Sequence, residues 1–225
     1  MMFSLIVCTY IRPQPLLELL QSVKEQTLYP NEILIIDGSS NNETETVLNK
    51  KPFKNLRYYK VDKLNRGLTK QRNFGINLVS KDSEIMCFLD DDIILTPSYF
   101  ETLIETYSIK SDALAVGGYI TNEVSWKLSD NQNDSSKFYF DGWMRNEPSR
   151  FKIRQLFGLL PDVDPGFMPT FSHGRSISFL PPSEKIYEVE QLMGGYLVIK
   201  KKFSIALNFL IILKVTDFMR MPIFH

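Results

Sequence analysis

The sequence predicts an α/β fold in which helices cover both faces of a mostly parallel sheet. Apolar runs of strand length alternate with stretches of helical period along residues 3–120, as expected when crossover helices join parallel strands. The chain has 225 residues, 44% of them hydrophobic, which is enough to bury a substantial core. Its 26 basic side chains balance 26 acidic ones, so the composition does not favour nucleic-acid binding.

The first two strands and helices follow from local patterns. Phe3–Cys8 is an apolar run of strand length, and Pro13–Gln26 carries Leu16, Leu17, Leu20 and Val23 at helical spacing, with a proline where a first helical turn favours one. Glu32–Asp37 is the second predicted strand. The turn-forming residues 38–42 then open a short helix that ends at Leu48.

The pattern continues through three further strands and two helices. The predicted order is strand Leu56–Val61, helix Gly67–Val79, strand Glu84–Leu89, helix Pro97–Tyr107 and strand Asp112–Ile120. From Thr121 to Ser183 the periodicity fades, and we interpret this stretch as a lid or a flexible excursion. Cys8 and Cys87 lie inside apolar runs, which predicts buried thiols in a reducing compartment.

Polar side chains follow three of the predicted strands at their carboxyl ends. They are Thr9, Tyr10 and Arg12 after the first strand, Asp37 at the end of the second, and Asp90, Asp91 and Asp92 after the fourth. In an open α/β sheet, ligands bind outside the carboxyl ends of the strands. We therefore expect these side chains to meet along one edge of the sheet.

Each group suits part of a nucleotide. Tyr10 offers a flat face for a base, Asp37 an acceptor for the imide N–H of uracil or thymine, and Lys70 and Arg72 cations for phosphate oxygens. The sequence leaves simpler roles open. Tyr10 would then be structural, Asp37 would cap a turn or helix, and the two cations would be solvated on a helix surface.

The acidic run Asp90-Asp91-Asp92 is the most distinctive of these groups. Adjacent carboxylates repel each other, and a divalent cation such as Mn²⁺ or Mg²⁺ would relieve that repulsion. Such ions take one or two protein carboxylates and complete their shell with substrate phosphates, so a bound diphosphate follows. The alternative is an acidic loop that only caps the helix near Pro97.

Four segments together resemble the family 2 glycosyltransferases, which are inverting enzymes of the GT-A fold that use nucleotide-diphosphate sugars. The resemblance rests on residues 4–12, residues 35–44 with Ile-Ile-Asp-Gly-Ser-Ser, residues 67–76 with Lys-Gln-Arg-Asn, and residues 88–93 with Phe-Leu-Asp-Asp-Asp-Ile. The order and spacing of the four are more specific than any one of them. Residues 189–199 resemble the later, acceptor-side segment of the family.

The resemblance implies a role for each strand-end residue. Thr9, Tyr10, Arg12 and Asp37 would hold the nucleoside, Lys70 and Arg72 would lie near the base and phosphates, Asp90 and Asp91 would face the ribose, and Asp92 would ligate Mn²⁺ or Mg²⁺. Residues 3–120 would form the donor-binding subdomain and residues 121–202 a partial acceptor-side region. The donor would be linked to uridine or deoxythymidine. The acceptor would be a saccharide or a lipid-linked molecule in cell-surface polysaccharide or glycan synthesis.

The end of the chain departs from the family pattern. The family places a Glu-Asp pair, whose Asp is the base for the acceptor hydroxyl, about two dozen residues after the Gly-Gly pair, whereas Asp217 is the only acidic residue after Glu190 here. Reverse translation of residues 214–225 in a shifted frame allows the missing segment. We therefore predict that residues 203–225 are an aberrant, out-of-frame tail and leave the catalytic base unassigned.

Two other functions remain open from the sequence. A donor-binding remnant, or pseudoenzyme, would keep nucleotide affinity without the base. A nucleotidyltransferase is less favoured, because residues 9–13 lack the glycines of a phosphate loop. No apolar stretch reaches the roughly 20 residues that span a bilayer, and the first residues lack the features of a signal peptide. We expect a cytoplasmic protein, with peripheral contact to the inner face of a membrane as an open possibility.

Overall fold

The computed structural model describes residues 1–122, 124–129, 134–204 and 221–223. The chain forms two compact units, the first comprising residues 1–115 and 194–218, and the second comprising residues 116–193 and 219–225. The strands are β1 (Phe3–Thr9), β2 (Glu32–Asp37), β3 (Leu56–Lys60), β4 (Ile85–Asp90), β5 (Ala115–Gly117), β6 (Lys127–Leu128), β7 (Lys137–Phe140), β8 (Trp143–Asn146), β9 (Tyr187–Val189), β10 (Tyr196–Lys200) and β11 (Met221–Ile223). The helices are α1 (Pro13–Lys24), α2 (Glu43–Lys50), α3 (Leu68–Leu78), α4 (Tyr99–Ile109), α5 (Ser149–Leu156) and α6 (Lys201–Ser204).

The sheet of the first unit has the strand order β3-β2-β1-β4-β10. The first four strands are parallel, and β10 runs antiparallel to β4. Every residue of β1 and β2 is buried, as expected for central strands that helices cover on both faces. The predicted α/β class is confirmed, and the first four predicted strands and four predicted helices are present.

Helix packing brings α3 close to the central strands. A Cβ atom built on Gly75 would lie 2.8 Å from Cγ2 of Ile6 and 3.2 Å from Cγ1 of Ile36. The absence of a side chain at this position therefore allows α3 to approach β1 and β2. On α1, Leu16, Leu20 and Val23 are buried as the helical spacing predicted, but Leu19 is buried in place of Leu17, which is only half-buried.

The second unit has more regular structure than its sequence suggested. A small antiparallel sheet has the order β6-β8-β7, and helix α5 follows it. In addition, β11 pairs with β5 through Ile223 and Gly117 and with β9 in antiparallel register. The described part of residues 121–183, interpreted from the sequence as a lid or a flexible excursion, contains short strands and a helix, because local cross-strand pairs and aromatic contacts such as Phe138–Phe179 order it. The predicted fifth strand, Asp112–Ile120, shortens to Ala115–Gly117.

The predicted aberrant tail, residues 203–225, lies mostly outside the described residues, and its origin stays a prediction. Within it, α6 ends at Ser204 and β11 covers Met221–Ile223. Among the described helices, none is long and apolar enough to span a membrane.

Candidate functional site

A cavity of about 670 Å³ opens at the carboxyl ends of β1 and β4 in the first unit. The register of the parallel strands accounts for its location, because Cys8 lies beside Asp90 across β1 and β4, and Thr9 lies beside Asp37 across β1 and β2. Six of the seven strand-end residues singled out from the sequence line this cavity, and Asp37 does not. The lining residues are Cys8, Thr9, Tyr10, Arg12, Arg66, Gly67, Leu68, Gln71, Asp90, Asp91 and Asp92.

Asp91 and Asp92 share one arginine. Arg12 donates from Nη1 to Oδ1 of Asp91 at 2.9 Å and from Nη2 to Oδ2 of Asp92 at 2.8 Å. The hydroxyl of Thr9 also donates to Oδ2 of Asp91, at 2.6 Å. Arg12 thus acts as an internal counterion for two neighbouring carboxylates that would otherwise repel each other.

The two carboxylates differ in exposure. The side chain of Asp91 is 6% exposed, whereas that of Asp92 is 50% exposed. Burial raises the pKa of Asp91, and the hydrogen bond from Thr9 and the charge of Arg12 partly offset that rise. Asp92 is therefore the carboxylate of this pair that is open to an incoming ligand.

Asp90 belongs to a separate ion pair. Arg72 donates from Nη2 to Oδ1 of Asp90 at 3.0 Å and to the carbonyl of Gly194 at 2.7 Å. A Cβ atom built on Gly195 would lie 2.5 Å from Oδ2 of Asp90, so a side chain there would displace the carboxylate. Arg72 is buried, does not line the cavity, and joins the end of β4 to the segment before β10.

Asp37 lies outside the cavity lining. Its side chain is fully buried, Oδ1 accepts from the backbone N–H of Ser39 at 2.7 Å, and Oδ2 accepts from the hydroxyl of Tyr58 at 2.8 Å. Burial and the hydrogen bond to Asp37 raise the pKa of Tyr58. Sequence analysis missed Tyr58, because a tyrosine in a strand without strict alternation gives no sign that its hydroxyl reaches a carboxylate.

Gln71 is a second residue that the sequence analysis did not single out. Its Nε2 donates to the carbonyls of Thr9 at 3.1 Å and Ile36 at 2.7 Å, and its Oε1 accepts from the backbone N–H of Gly67 at 3.2 Å. The buried amide therefore ties the start of α3 to the ends of two parallel strands. Its place within the Lys-Gln-Arg-Asn segment was the available signal.

Arg66 is the third missed residue and the least constrained cation of the cavity. Its Nε is buried, and among the described residues this atom has no hydrogen-bond partner. Gly67 follows with φ +109°, a left-handed conformation that favours glycine, and α3 begins at the next residue. The other lining cation, Arg12, is already paired with Asp91 and Asp92, so Arg66 is the lining cation better able to meet an added anion.

Lys70 and Tyr10 complete the predicted set. Lys70 is exposed, donates from Nζ to the carbonyl of Leu64 at 2.8 Å, and does not line the cavity. Tyr10 lines the cavity and is half-exposed, which leaves its ring open for stacking. The cavity also includes Cys8, whose thiol pKa burial raises to about 12, and both Cys8 and Cys87 are buried as predicted.

The donor set suits a divalent cation only together with a ligand. Within the described part of the chain, no group of three or more His, Cys, Asp or Glu residues is arranged to hold a metal ion. Asp92 offers a half-exposed carboxylate, with Oδ2 bound to Arg12 and Oδ1 without a hydrogen bond to any described residue. One such carboxylate plus phosphate oxygens is the usual environment of Mg²⁺ in nucleotide sites, so the residues fit.

Comparison with known proteins identifies the family. The model of the family described as "Glycosyl transferase family 2" matches residues 4–173. A glucosyl-dolichyl phosphate glucuronosyltransferase from Haloferax volcanii is 32% identical over 53% of this chain and 38% of its own length. A UDP-Gal:alpha-D-GlcNAc-diphosphoundecaprenol beta-1,3-galactosyltransferase from Escherichia coli is 30% identical over 52% of this chain and 43% of its own length. The chain thus spans less than half the length of these curated relatives.

A solved structure is also similar. The crystal structure of S. aureus TarS superposes with a TM-score of 0.46 and 21% identity, over 61% of this chain and 24% of that chain. The family match itself covers residues 4–173 and includes every strand-end residue singled out from the sequence. Together with the mostly parallel α/β sheet, it confirms the predicted GT-A fold and the predicted relationship, and the chain belongs to glycosyl transferase family 2.

Proposed function

We propose that this chain binds a nucleotide-diphosphate sugar in the cavity at the carboxyl ends of β1 and β4 and transfers the sugar, with inversion, to a saccharide or lipid-linked acceptor. The observation that carries the proposal is the convergence of three aspartates and three arginines on one family-specific sheet edge. Such a site pairs acidic groups for a metal with basic groups for phosphates.

Each residue of the donor side has a proposed role. Tyr10 would stack on the base, Asp37 would accept its imide N–H, and Arg66 would meet the phosphates. Asp90 and Asp91 would face the ribose, with Arg72 positioning Asp90 through their ion pair. Asp37 is fully buried outside the cavity lining and holds two hydrogen bonds, so the imide N–H would reach it only after a local movement that exposes one carboxylate oxygen. A uridine or deoxythymidine nucleotide would supply that imide group.

The bound metal, Mn²⁺ or Mg²⁺, would stabilise negative charge on the departing diphosphate. Asp92 would be its protein ligand, and the substrate phosphates would complete the shell. Oδ2 of Asp92 accepts a hydrogen bond from Arg12. When the metal binds, this hydrogen bond would have to break, or the carboxylate would have to contact both Arg12 and the metal. Thr9 would keep Asp91 in place through its short hydrogen bond while this change occurs.

The names of the relatives support the acceptor class. One relative is named for glucosyl-dolichyl phosphate and another for a diphosphoundecaprenol-linked sugar, both of which are lipid-linked. By analogy we propose a lipid-linked acceptor in cell-surface polysaccharide or glycan synthesis. A cytoplasmic protein in peripheral contact with the inner face of the membrane would reach such an acceptor.

The second candidate function is that of a donor-binding remnant, which the sequence after Glu190 indicates. After Glu190 the sequence has one acidic residue, Asp217, which lies outside the described part of the structure. Inverting transfer needs a carboxylate to deprotonate the acceptor hydroxyl. Reading the gene across the codons of Lys200–His225 tests the frameshift directly. An uninterrupted natural frame with no Glu-Asp-encoding alternative would refute it.

Calorimetric titration with UDP, with and without Mn²⁺, tests donor binding. We expect binding that Mn²⁺ strengthens about tenfold or more, and we expect Asp92→Asn to remove the metal dependence. Asp82→Asn, an exposed acidic residue outside the cavity lining, is the matched control. Metal-independent binding, equal in the Asp92→Asn variant, would contradict the assignment of Asp92.

A panel of nucleotide sugars then separates the two functions. Transfer of sugar from one donor to a lipid-linked acceptor would establish the enzyme. Metal-dependent donor binding without any transfer would favour the remnant. Absence of nucleotide binding under all conditions would refute both.

A further inference from the structure

The second unit exposes a concentrated group of large apolar side chains at the end of α5. The exposed fractions are 57% for Ile153, 82% for Leu156 and 73% for Phe157. These residues follow the i, i+3, i+4 spacing that places side chains on one side of a helix. The helix buries only Phe151, so its apolar residues do not serve mainly to attach it to its own unit.

The backbone holds this apolar group in a defined conformation. Gly158 has φ +66°, its N–H donates to the carbonyl of Gln155 at 3.1 Å, and the N–H of Leu159 donates to the carbonyl of Arg154 at 2.8 Å. This is the Schellman ending of a helix. Such endings usually bury the residue after the glycine against the last helical turn, but Leu159 is exposed.

A further exposed apolar residue comes from the neighbouring loop. The hydroxyl of Ser172 donates to the carbonyl of Leu159 at 2.8 Å, which joins the loop to the end of α5. Phe171, directly before Ser172, is exposed as well. Exposed apolar side chains therefore lie both at the end of α5 and in the loop that is hydrogen-bonded to it, so the exposed apolar residues are not confined to one helix. Large contiguous apolar areas on a protein surface usually mark an interaction site.

The charged side chains of helix α5 are all basic, whereas the loop that follows it carries the exposed Asp162. Residues 148–161 contain three charged side chains, Arg150, Lys152 and Arg154, and no acidic one. Arg150 and Lys152 are exposed, and Arg150 precedes Ile153 by three residues on the same side of the helix. In a chain with equal numbers of basic and acidic residues, this is a local excess of positive charge beside exposed apolar groups.

We propose that this apolar–basic surface rests on an anionic phospholipid bilayer. It comprises Arg150, Lys152, Ile153, Leu156, Phe157 and Leu159. Leucine and phenylalanine side chains enter the boundary between headgroups and acyl chains, and arginine and lysine attract anionic headgroups. A partner protein with an apolar groove would not need this excess of positive charge. The inference deepens the proposed peripheral contact and rests on that part of the proposed function.

Co-sedimentation of the full chain with vesicles, without nucleotide, tests the proposal. We expect binding to phosphatidylcholine vesicles that contain phosphatidylglycerol, weaker binding to phosphatidylcholine alone, and release by salt. Leu156→Ser combined with Phe157→Ser should lower partitioning at least about tenfold, because two large side chains no longer enter the membrane. Arg150→Glu combined with Lys152→Glu should lower it about tenfold or more on anionic vesicles only.

The matched controls lie in the first unit. Ile109 is 66% exposed at the end of α4, and Lys50 is exposed at the end of α2, so Ile109→Ser and Lys50→Glu change equivalent groups elsewhere. We expect both to bind vesicles as the unchanged chain does. Circular dichroism checks the fold of every variant, and the charge-reversal variant provides an independent test if the serine variant unfolds.

Three results would overturn the proposal. One is no vesicle binding by the unchanged chain, and another is binding that neither double variant weakens. The third is self-association that the serine variant abolishes without any change in vesicle binding, since the surface would then join two copies of this chain. Titration of the same preparations with UDP and Mn²⁺ distinguishes failure of this inference from failure of the proposed function. Donor binding without vesicle binding would refute the membrane contact and leave the proposed donor binding supported.

Discussion

Replacing Tyr58 by Phe tests whether the hydroxyl of Tyr58 keeps the carboxylate of Asp37 in the position proposed for recognition of the base. The change keeps the ring and removes the hydroxyl that donates to Oδ2 of Asp37 at 2.8 Å. Asp37 is fully buried, so no bulk water lies beside the orphaned oxygen. A buried acceptor that loses its donor destabilises the folded state, because the free energy spent in removing that acceptor from water is no longer offset by a hydrogen bond.

The expected cost is about 1–2 kcal/mol, at the lower part of the range for hydrogen bonds to charged groups because Tyr58 itself is only half-buried. For a chain of this size, that corresponds to a fall of about 2–8 °C in Tm. Thermal and urea unfolding followed by circular dichroism would measure it. If Asp37 recognises the base as proposed, UDP binding should also weaken while its dependence on Mn²⁺ persists.

The neighbouring tyrosine provides the control. Tyr59 packs its ring against Phe74 at 6.3 Å between centroids, and its hydroxyl has no hydrogen-bond partner among the residues that the structure describes. Tyr59→Phe should therefore change the free energy of unfolding by no more than about 0.5 kcal/mol. Equal stability of the two variants would refute the claim that Tyr58 holds Asp37.

The pH dependence offers a second check on Tyr58. Its folded-state pKa is raised above the ordinary value of 10.0 by burial and by Asp37. A group with a raised folded-state pKa contributes its stability fully below the unfolded pKa and loses it as the pH rises toward the folded value. The stability difference between the unchanged chain and Tyr58→Phe should therefore be constant near neutral pH and shrink above about pH 10.

Three further predictions follow from single contacts. Arg66→Gln should weaken UDP binding about tenfold in calorimetry, since this change removes a lining cation whose Nε has no hydrogen-bond partner among the described residues. Lys63→Gln, outside the cavity lining, should not weaken it, and equal affinities of the two variants would exclude Arg66 from the phosphates. The Cys8 thiol, whose pKa burial raises to about 12, should react with iodoacetamide at pH 7 at least about tenfold more slowly than in the unfolded chain, and comparable rates would contradict its burial. Gly75→Ala should lower the free energy of unfolding in urea by about 1–3 kcal/mol, because the new methyl group would lie 2.8 Å from Cγ2 of Ile6. This loss should exceed the gain from the better helix propensity of alanine, and a stabilised variant would show that α3 can move away from β1.

Much of the first unit was predictable because its structure is locally encoded. Buried parallel strands such as Glu32–Asp37 are continuous apolar runs, and the helices between them carry a clear period. The position of β10 was not predictable. It enters beside β4 from more than 100 residues away, and its antiparallel pairing depends on contacts that no local pattern records.

The candidate site shows the same division. The strand-end aspartates could be placed together from topology alone, since parallel strands bring their carboxyl ends to one edge. The pairing among side chains could not, because it depends on rotamers and burial. Thus Arg12 forms ion pairs with Asp91 and Asp92, whereas Arg72 forms one with Asp90. In the second unit, Arg175 stacks 4.5 Å from Phe138 within a stretch that had looked merely irregular.

Gln71 has a consequence for how mutations in this cavity should be read. Its amide already uses both donor hydrogens and one acceptor site on the backbone of Thr9, Ile36 and Gly67. A mutational scan would find this lining residue intolerant of change and would suggest a substrate contact. Yet a glutamate there would place negative charge against two carbonyl oxygens and distort the strand ends without touching any ligand. Intolerance at Gln71 therefore reports on the architecture of the cleft, and only residues with unused polar atoms, such as Arg66, report on recognition.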